Sequence, residues 1–317
     1  MPELIGYILA LDAIFTWAIA SLVYKKGLEK TDPKGTILFR LCCVSAFTLL
    51  ISLVLGNYQF FPELNEEELY IFLIACLISG VTVTIGDIFY FASLKKIDAS
   101  RAYPLTQISL VFVYPFAYFL FGENITISIF IGGILILSSV FLLIKKDKEV
   151  EKQNDTHSIE ENELKQKESE KIIIGIIFAI GTAFFWALAM VSFHQARIIS
   201  GDVFVTNFIR IAFATVSTAL LGISQREYYS GFKKENKKYL KYYAYIGIAG
   251  SLSLGFADSL FYKAAEINGL VLTSTITANT PMVQQIFSIL ILKEKFRKRF
   301  IIAVGLIILG NYIILFL

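Results

Sequence analysis

Long apolar segments alternate with short polar segments along almost the whole chain. Each apolar segment has about 18 residues or more, the length that a helix needs to cross the bilayer core. One interval, residues 147–171, is instead almost entirely polar and is expected to form a solvated linker. The pattern predicts an all-α integral membrane protein with ten transmembrane helices, at roughly 4–24, 36–55, 69–94, 102–121, 125–144, 172–194, 203–223, 242–264, 270–292 and 300–317.

The five spans before the linker are faintly repeated as the five spans after it. Residues 5–20 (IGYILALDAIFTWAIA) align with residues 174–189 (IGIIFAIGTAFFWALA), and 8 of the 16 positions are identical. Later matches keep the same order along the chain, so one duplication explains all of them. These later matches are Arg40 with Arg210, Asp87 with Asp258, and Glu123 with Glu294.

The duplication divides the chain into repeat 1 (1–146), a polar linker (147–171) and repeat 2 (172–317). Because each repeat has an odd number of helices, the second repeat is inverted relative to the first. The odd-numbered loops carry 25 Lys and Arg residues, whereas the even-numbered loops and the termini carry only Arg197 and Lys263. The positive-inside rule therefore predicts that the odd-numbered loops and the linker are cytoplasmic and both termini are outside. Inverted repeats of this kind are found mainly in transporters.

The composition disfavours an enzyme. Hydrophobic residues make up 56% of the chain, and the only histidines are His157 and His194. Neither a P-loop nor a GxSxG or CxxC motif occurs, so no cofactor, metal site or ATP-driven step is expected. The three cysteines all lie within predicted spans and are expected to be packing residues. A receptor or scaffold is a remaining alternative, but neither explains the inverted repeat.

Several features together resemble the ten-helix EamA type of the drug/metabolite transporter superfamily. They are the tandem five-helix halves, the Trp in the first helix of each half, the stretch NTPMVQQIFSILILKEKF and the small-residue fifth helices. Repeat 1 departs from this pattern, since Leu110 stands where repeat 2 has Pro281. The resemblance implies an alternating-access secondary transporter of a small polar metabolite such as an amino acid, working in efflux.

The resemblance leaves alternatives open. An uncoupled facilitator or exchanger of a sugar or an organic anion is the main one, and a non-transport membrane protein is another. The expected partners are the small-molecule substrate, the lipid bilayer and protons, without nucleic acid, and the chain is either a monomer or a homodimer.

Asp12 is a candidate for proton coupling. The stretch YILALDAI resembles the first helix of the small multidrug resistance exporters, in which one glutamate binds protons and substrate in turn, and Asp12 occupies that acidic position. An ionisable residue near mid-membrane is costly and usually functional. The alternative is a polar residue that only packs between helices.

Arg40 with Asp87 and Arg210 with Asp258 are expected to form two ion pairs. Charges inside a bilayer usually pair, and each Arg lies at a depth similar to that of its Asp. Inversion of the repeats places the first pair towards the cytoplasmic side and the second towards the outer side. The pairs either hold helices together or act as gates, one formed while the other is broken.

Helices 3, 4, 8 and 9 carry more hydrogen-bonding groups than a lipid-facing surface tolerates. Pro104 and Pro281 are expected to break helices 4 and 9 near a site built from interrupted helices. Trp17 and Trp186 are too deep for an interfacial position and are expected either to face the cavity or to pack in the core. His194 is expected to be a satisfied residue at the end of helix 6, with pH sensing as the alternative. The candidate substrate-binding residues are Asp12, Trp17, Tyr103, Gln107, Trp186, Thr277, Asn279 and Gln285.

Overall fold

The computed structural model describes residues 2–144, 159–292 and 299–316, and the regular structure within these ranges is entirely helical. Seven segments there are long and apolar enough to cross a membrane, and two shorter apolar helices accompany them. The predicted all-α, multi-pass membrane fold is confirmed. The α-helices are α1 (Pro2–Leu28), α2 (Pro33–Leu55), α3 (Glu66–Lys96), α4 (Ala99–Thr106), α5 (Ser109–Phe121), α6 (Ile127–Ile144), α7 (Ile159–Ser200), α8 (Val203–Ser224), α9 (Leu240–Gly250), α10 (Asp258–Asn268), α11 (Leu270–Thr277), α12 (Thr280–Leu292) and α13 (Arg299–Phe316).

The second helix of each repeat begins with the same cap. The Asp32 side chain accepts a hydrogen bond from the backbone N–H of Gly35 at the start of α2, at 3.1 Å. Asp202 accepts one from the N–H of Val205 at the start of α8, at 2.7 Å. An aspartate at this position satisfies an N–H group that the helix leaves free. The shared cap supports the predicted duplication at the level of local structure.

The fourth helix of each repeat is broken at its middle. In repeat 1 the break falls between α4 and α5, three residues after Pro104, and in repeat 2 it falls between α11 and α12, just before Pro281. Proline cannot donate the backbone hydrogen bond that the carbonyl of Thr277 would otherwise accept. The Thr280 hydroxyl donates to that carbonyl instead, at 2.5 Å. The carbonyl freed by Pro281 is therefore satisfied within the protein.

The eighth span contains a π-helical turn. Residues Ser251–Ala257 form this turn between α9 and α10, directly before Asp258. Turns of this kind inside α-helices occur frequently at functional sites.

Part of the predicted linker is helical. Residues 147–158 lie outside the described residues, but residues 159–171 form the first turns of the 42-residue helix α7. A helical conformation is compatible with a solvated linker, so the linker at 147–171 stays a prediction. Polarity by itself does not prevent a helix, because Glu, Lys, Gln and Leu all have high helix propensity.

Helices of the two repeats interleave. α3 packs along α7, and α1 packs along α9 and α10, so that the first helix of each repeat lies against the third helix of the other. Between α3 and α7, the Ser79 hydroxyl donates to the carbonyl of Ala189 at 2.7 Å, and that of Ser93 donates to the carbonyl of Gly175 at 2.9 Å. Hydroxyls that bond across helices in this way hold the two repeats together in the membrane interior.

Candidate functional site

Residues of both repeats line a cavity in the middle of the helix bundle. Its volume is about 90 Å³, which is space for several water molecules. The lining residues come from the interleaved helices, the π-helical turn and the two broken helices. They include Trp17, Ser21, Tyr24, Arg40, Asp87, Tyr90, Tyr103, Gln107, Trp186, Arg210, Ser253, Asp258, Tyr262, Ser274, Thr277 and Thr280.

The first charged network joins Arg40, Asp87 and Trp186. A terminal nitrogen of the Arg40 guanidinium donates to Asp87 Oδ2, and Trp186 Nε1 donates to Asp87 Oδ1 at 3.2 Å. The guanidinium also lies over two aromatic rings, 5.0 Å from the centre of Phe91 and 5.4 Å from that of Tyr24. Arg40 is 1% exposed, so its charge relies on these protein groups rather than on solvent.

The second network repeats the first with residues of the other half. Arg210 donates to Asp258 Oδ2 at 2.7 Å, and Trp17 Nε1 donates to Asp258 Oδ1 at 3.0 Å. The Arg210 guanidinium lies 4.7 Å from the ring centre of Phe193 and 5.8 Å from that of Tyr262. Each contact has its counterpart in the first network, as expected for duplicated halves.

The second network has one additional member, Asn207. Its carbonyl oxygen accepts from Arg210 at 2.8 Å, and its amide nitrogen donates to the carbonyl oxygens of Leu254 and Gly255 in the π-helical turn, at 2.9 and 3.0 Å. Asn207 thus links the charged network to backbone groups that the irregular turn exposes. Arg210 therefore has Asn207 as a polar partner in addition to Asp258.

Both networks cross between the repeats through tryptophan. Each Arg–Asp pair lies within one repeat, whereas each aspartate accepts a hydrogen bond from the tryptophan of the other repeat. The formal charges of the two arginines and two aspartates sum to zero, and these four residues lie in a cavity wall that is otherwise mostly apolar. Each aspartate is therefore a point at which the two repeats meet.

Both predicted ion pairs are formed in the structure. The expectation that they lie towards opposite sides of the membrane is wrong, because all four charged residues line the same cavity. Formation of both pairs at the same time also differs from a gate in which one is formed while the other is broken. Interleaving of the helices explains the difference, since it brings α2 and α3 of repeat 1 beside α8 of repeat 2, and α2 also beside the π-helical turn that precedes Asp258.

Most of the predicted substrate-binding residues lie together. Trp17 and Trp186 line the cavity with Tyr103, Gln107 and Thr277. Three candidates, Asp12, Asn279 and Gln285, are not among the lining residues, and each has a structural reason for its position.

Asp12 lies on the outward face of α1. Its side chain is exposed, on the same side of the helix as Ile8, Phe15 and Ile19, which are also exposed. The opposite face, with Ala13 among its residues, is buried. Helical periodicity therefore turns Asp12 away from the central cavity in this structure, and its contact with substrate stays a prediction.

Asn279 ties the break in the ninth span to α13. Its amide nitrogen donates to the carbonyl of Ile276 and to Oδ1 of Asn311, both at 2.8 Å. Gln285 is buried in α12 outside the cavity lining, 6% exposed. The turn at the break directs the Asn279 side chain towards α13, so its amide serves contacts between helices.

Several cavity residues were missed by the sequence analysis. Tyr24, Tyr90 and Ser253 line the cavity, and the hydroxyl oxygens of Tyr24 and Ser253 lie 2.5 Å apart. Helical spacing offers a signal for two of them, since Tyr24 follows Trp17 by seven residues and Tyr90 follows Asp87 by three, on the same helix face in each case.

His194 lies beside Glu123 at the end of α5. The Glu123 carboxylate accepts from the backbone N–H groups of Leu270 and Val271, at 2.8 Å each, and so caps α11. His194 Nε2 is 3.6 Å from Glu123 Oε1, and its ring packs edge-on against Phe121. The repeat-2 counterpart of Glu123, Glu294, lies outside the described residues. The expectation of a satisfied His at a helix end is wrong, because the buried Nδ1 of His194 has no hydrogen-bond partner among the described residues and α7 continues beyond it to Ser200. The pH-sensing alternative stays a prediction.

Comparison with known proteins gives matches along the chain. A family model described as the EamA-like transporter family matches it twice, at residues 4–145 and 173–316. A relative from Archaeoglobus fulgidus, named an uncharacterized transporter, is 22% identical over 310 residues and is aligned over 97% of each chain. A relative of the same name from Clostridium kluyveri is 27% identical over 249 residues, which are 76% of this chain and 71% of the relative.

A solved structure shares the fold. It is described only as a crystal structure of a protein, has 14% sequence identity and a TM-score of 0.68, and covers 97% of this chain and 95% of that chain. At this identity the similarity concerns the fold alone.

Proposed function

The chain belongs to the EamA-like transporter family, and on that premise we propose that it carries a small polar metabolite across the membrane by alternating access. It is a multi-pass membrane protein, and its relatives are named transporters. The proposed division is repeat 1 at 1–146, a linker at 147–171 and repeat 2 at 172–317. The two segments that match the family model support this division.

The pair of mirrored Arg–Asp–Trp networks around one cavity carries the proposal. In alternating access, one repeat rocks against the other around a fixed central site. The Arg–Asp ion pairs lie within a repeat, so a rigid rocking motion preserves them. The Trp17–Asp258 and Trp186–Asp87 hydrogen bonds cross between repeats, so such a motion lengthens one of them. We assign the ion pairs to holding each repeat together and the tryptophan contacts to the moving interface.

The chemistry of the cavity wall supports a polar and overall uncharged substrate. The two guanidinium and two carboxylate groups pair with each other, so the wall has no net charge, and hydroxyl and amide groups beside them offer hydrogen bonds. A zwitterion such as an amino acid is a polar solute without net charge. Export rather than import is proposed from the family resemblance alone.

The position of Asp12 favours transport without proton coupling through this residue. A coupling carboxylate has to bind proton and substrate in competition, which requires it to face the substrate. Asp12 faces outward, and the aspartates that do face the cavity are each held by an arginine and a tryptophan. We therefore propose the facilitator or exchanger alternative over coupling through Asp12.

The proposed orientation places the odd-numbered loops inside and both termini outside. It rests on the distribution of Lys and Arg. Two lysines near the cytoplasmic ends of α1 and α3, in this orientation, also make structural hydrogen bonds. Lys25 donates to the carbonyl oxygens of Leu94 and Ile97, the latter at 3.0 Å, and Lys95 donates to that of Leu28. Cations at the ends of α1 and α3 are favourable in either orientation because they bind free carbonyl groups.

Counterflow in proteoliposomes tests the proposal, because it detects exchange of a solute by coupled and uncoupled secondary transporters alike. We expect at least one member of a panel of small polar metabolites to accumulate. The variant Gln107→Leu removes an amide group from the cavity wall. Among the described residues this amide makes one hydrogen bond, to the Thr106 hydroxyl, and that bond is long at 3.4 Å. We expect this change to slow exchange about tenfold, since an unmet buried polar group costs about 1–3 kcal/mol.

Asp12→Asn is the matched control and should leave exchange and its response to a pH gradient unchanged. The proposal would be contradicted if no panel member accumulated in wild-type proteoliposomes. It would also be contradicted if Gln107→Leu had no effect while Asp12→Asn abolished exchange.

A further inference from the structure

The connection between α8 and α9 is a strongly basic surface segment. Residues 226–241, which we call the basic segment, contain six Lys or Arg residues and two Glu residues. Two 3₁₀-helical stretches, Arg226–Phe232 and Lys234–Tyr239, give it a defined shape. It links two segments that are long and apolar enough to cross a membrane, so it lies at the depth of the lipid headgroups.

The first half of the basic segment is anchored to α2. Lys34 Nζ donates to Glu227 at 2.7 Å and to Gln225 at 3.0 Å, and the rings of Phe39 and Phe232 pack with centres 5.5 Å apart. The hydrogen bond and charge of Lys34 lower the pKa of the Glu227 carboxyl, so Glu227 stays ionised and committed to Lys34. It is not free to neutralise the lysines that follow.

The second half presents lysines without carboxylate partners. All five lysines are exposed, and none has an ion pair among the residues that the structure describes. Large apolar side chains are exposed beside them, with Phe232 at 53% and Leu240 at 55%. Cations next to exposed aromatic and aliphatic groups are typical of elements that lie in the membrane interface. The five lysines are Lys233, Lys234, Lys237, Lys238 and Lys241.

The corresponding connection of repeat 1 has the opposite character. Residues 56–68 contain four Glu residues and neither Lys nor Arg. Phe60 is buried there and stacks on Phe61 at 4.3 Å between ring centres, whereas Tyr58 is exposed. Because the two connections occupy equivalent places in the duplicated fold, the fold itself does not require a basic segment there. The positive-inside rule accounts for lysines on the cytoplasmic side, but it does not account for the large apolar side chains, Phe232 and Leu240, that are exposed beside them.

We propose that the basic segment binds the headgroups of anionic phospholipids in the adjoining leaflet. The positive charges of the lysines attract the negatively charged headgroups, and Phe232 and Leu240 contact the boundary of the acyl chains. A lipid occupant fits better than an acidic protein, because the segment joins two membrane spans directly. The proposal is independent of the transported substrate.

Lipid retention in nanodiscs tests the proposal. Wild type is reconstituted in phosphatidylcholine with or without phosphatidylglycerol, and the phosphatidylglycerol retained after extraction is counted by native mass spectrometry. The variant carries K233Q, K234Q, K237Q, K238Q and K241Q. We expect retention to weaken about fivefold for each lysine that contacts a headgroup. A variant with E63Q, E66Q, E67Q and E68Q in the equivalent connection should retain phosphatidylglycerol like wild type.

Two additional measurements keep the test decisive. The melting temperature in phosphatidylcholine alone should be the same for wild type and the lysine variant, which shows that the variant folds. Retention by wild type should also fall as salt is raised, since exposed charges are screened. Equal retention by wild type and the lysine variant would overturn the proposal, as would binding of a soluble acidic peptide in place of phosphatidylglycerol.

Discussion

Removal of either aspartate should destabilise the protein, and the two removals should differ in size. Asp87→Asn leaves the buried Arg40 cation without its carboxylate, and removal of one member of a buried ion pair costs about 3–5 kcal/mol. Asp258→Asn should cost less, by about 1 kcal/mol or more, because Arg210 keeps its hydrogen bond to Asn207. The Asp258 side chain is also more exposed than that of Asp87, 11% against 2%.

Thermal unfolding with a thiol-reactive dye measures the difference. The free thiol of Cys76 is buried and becomes reactive when the helix bundle opens, whereas Cys42 and Cys43 are only partly buried and set the starting signal. One kcal/mol corresponds to roughly 2 °C in a chain of this size, so Asp87→Asn should lower the melting temperature by roughly 6–10 °C. The double variant Arg40→Gln/Asp87→Asn should recover part of that loss, because no buried charge is then left alone. Equal losses for the two aspartates, or a greater loss for Asp258→Asn, would refute the reasoning.

Further substitutions test separate parts of the structure. Asp12→Asn should change the free energy of unfolding in nanodiscs by no more than about 0.5 kcal/mol, since exposed positions seldom contribute more. A large loss would place Asp12 in a buried contact. Gly80→Ala should lower the free energy of unfolding by about 1–3 kcal/mol, because its new methyl group would lie 2.5 Å from the backbone oxygen of Arg210. Gly305→Ala is the control and should be neutral, because the space around Gly305 is open. Equal melting temperatures for the two variants would contradict this packing. Glu123→Ala should lower the free energy of unfolding by about 1 kcal/mol, because it removes the cap of α11. The stability of Glu123→Gln should lie between those of wild type and Glu123→Ala. An unchanged melting temperature in Glu123→Ala would show that the cap is not required.

The fold was largely predictable because its determinants are periodic and local. Ten apolar segments and the matched order of the Arg and Asp residues in the two halves are visible in the sequence alone. Pairing of Arg40 with Asp87 followed from the cost of isolated charges in a membrane. These inferences need only depth along each helix, which residue counting provides.

The candidate site was less predictable because it depends on how helices of different repeats meet. Nothing local in the sequence indicates that Trp17 reaches Asp258 or that Trp186 reaches Asp87, since these contacts join residues 241 and 99 positions apart. The direction of Asp12 is not given by its depth, because the depth of a residue along a helix does not determine which face its side chain occupies. Small residues Gly6, Ala10 and Ala13 mark the packed face of α1, and Asp12 lies away from them among large aliphatic residues.

Intrinsic tryptophan fluorescence tests the central claim most directly. The chain has two tryptophans, and both line the cavity, where each donates a hydrogen bond to an aspartate. The single-tryptophan variants Trp17→Phe and Trp186→Phe are titrated with the metabolite that accumulates in counterflow. If the substrate binds between the mirrored networks, the emission of each remaining tryptophan should change, with the same half-saturating concentration as calorimetric binding to that variant. Calorimetric binding without any change in emission from either variant would contradict a substrate site in this cavity.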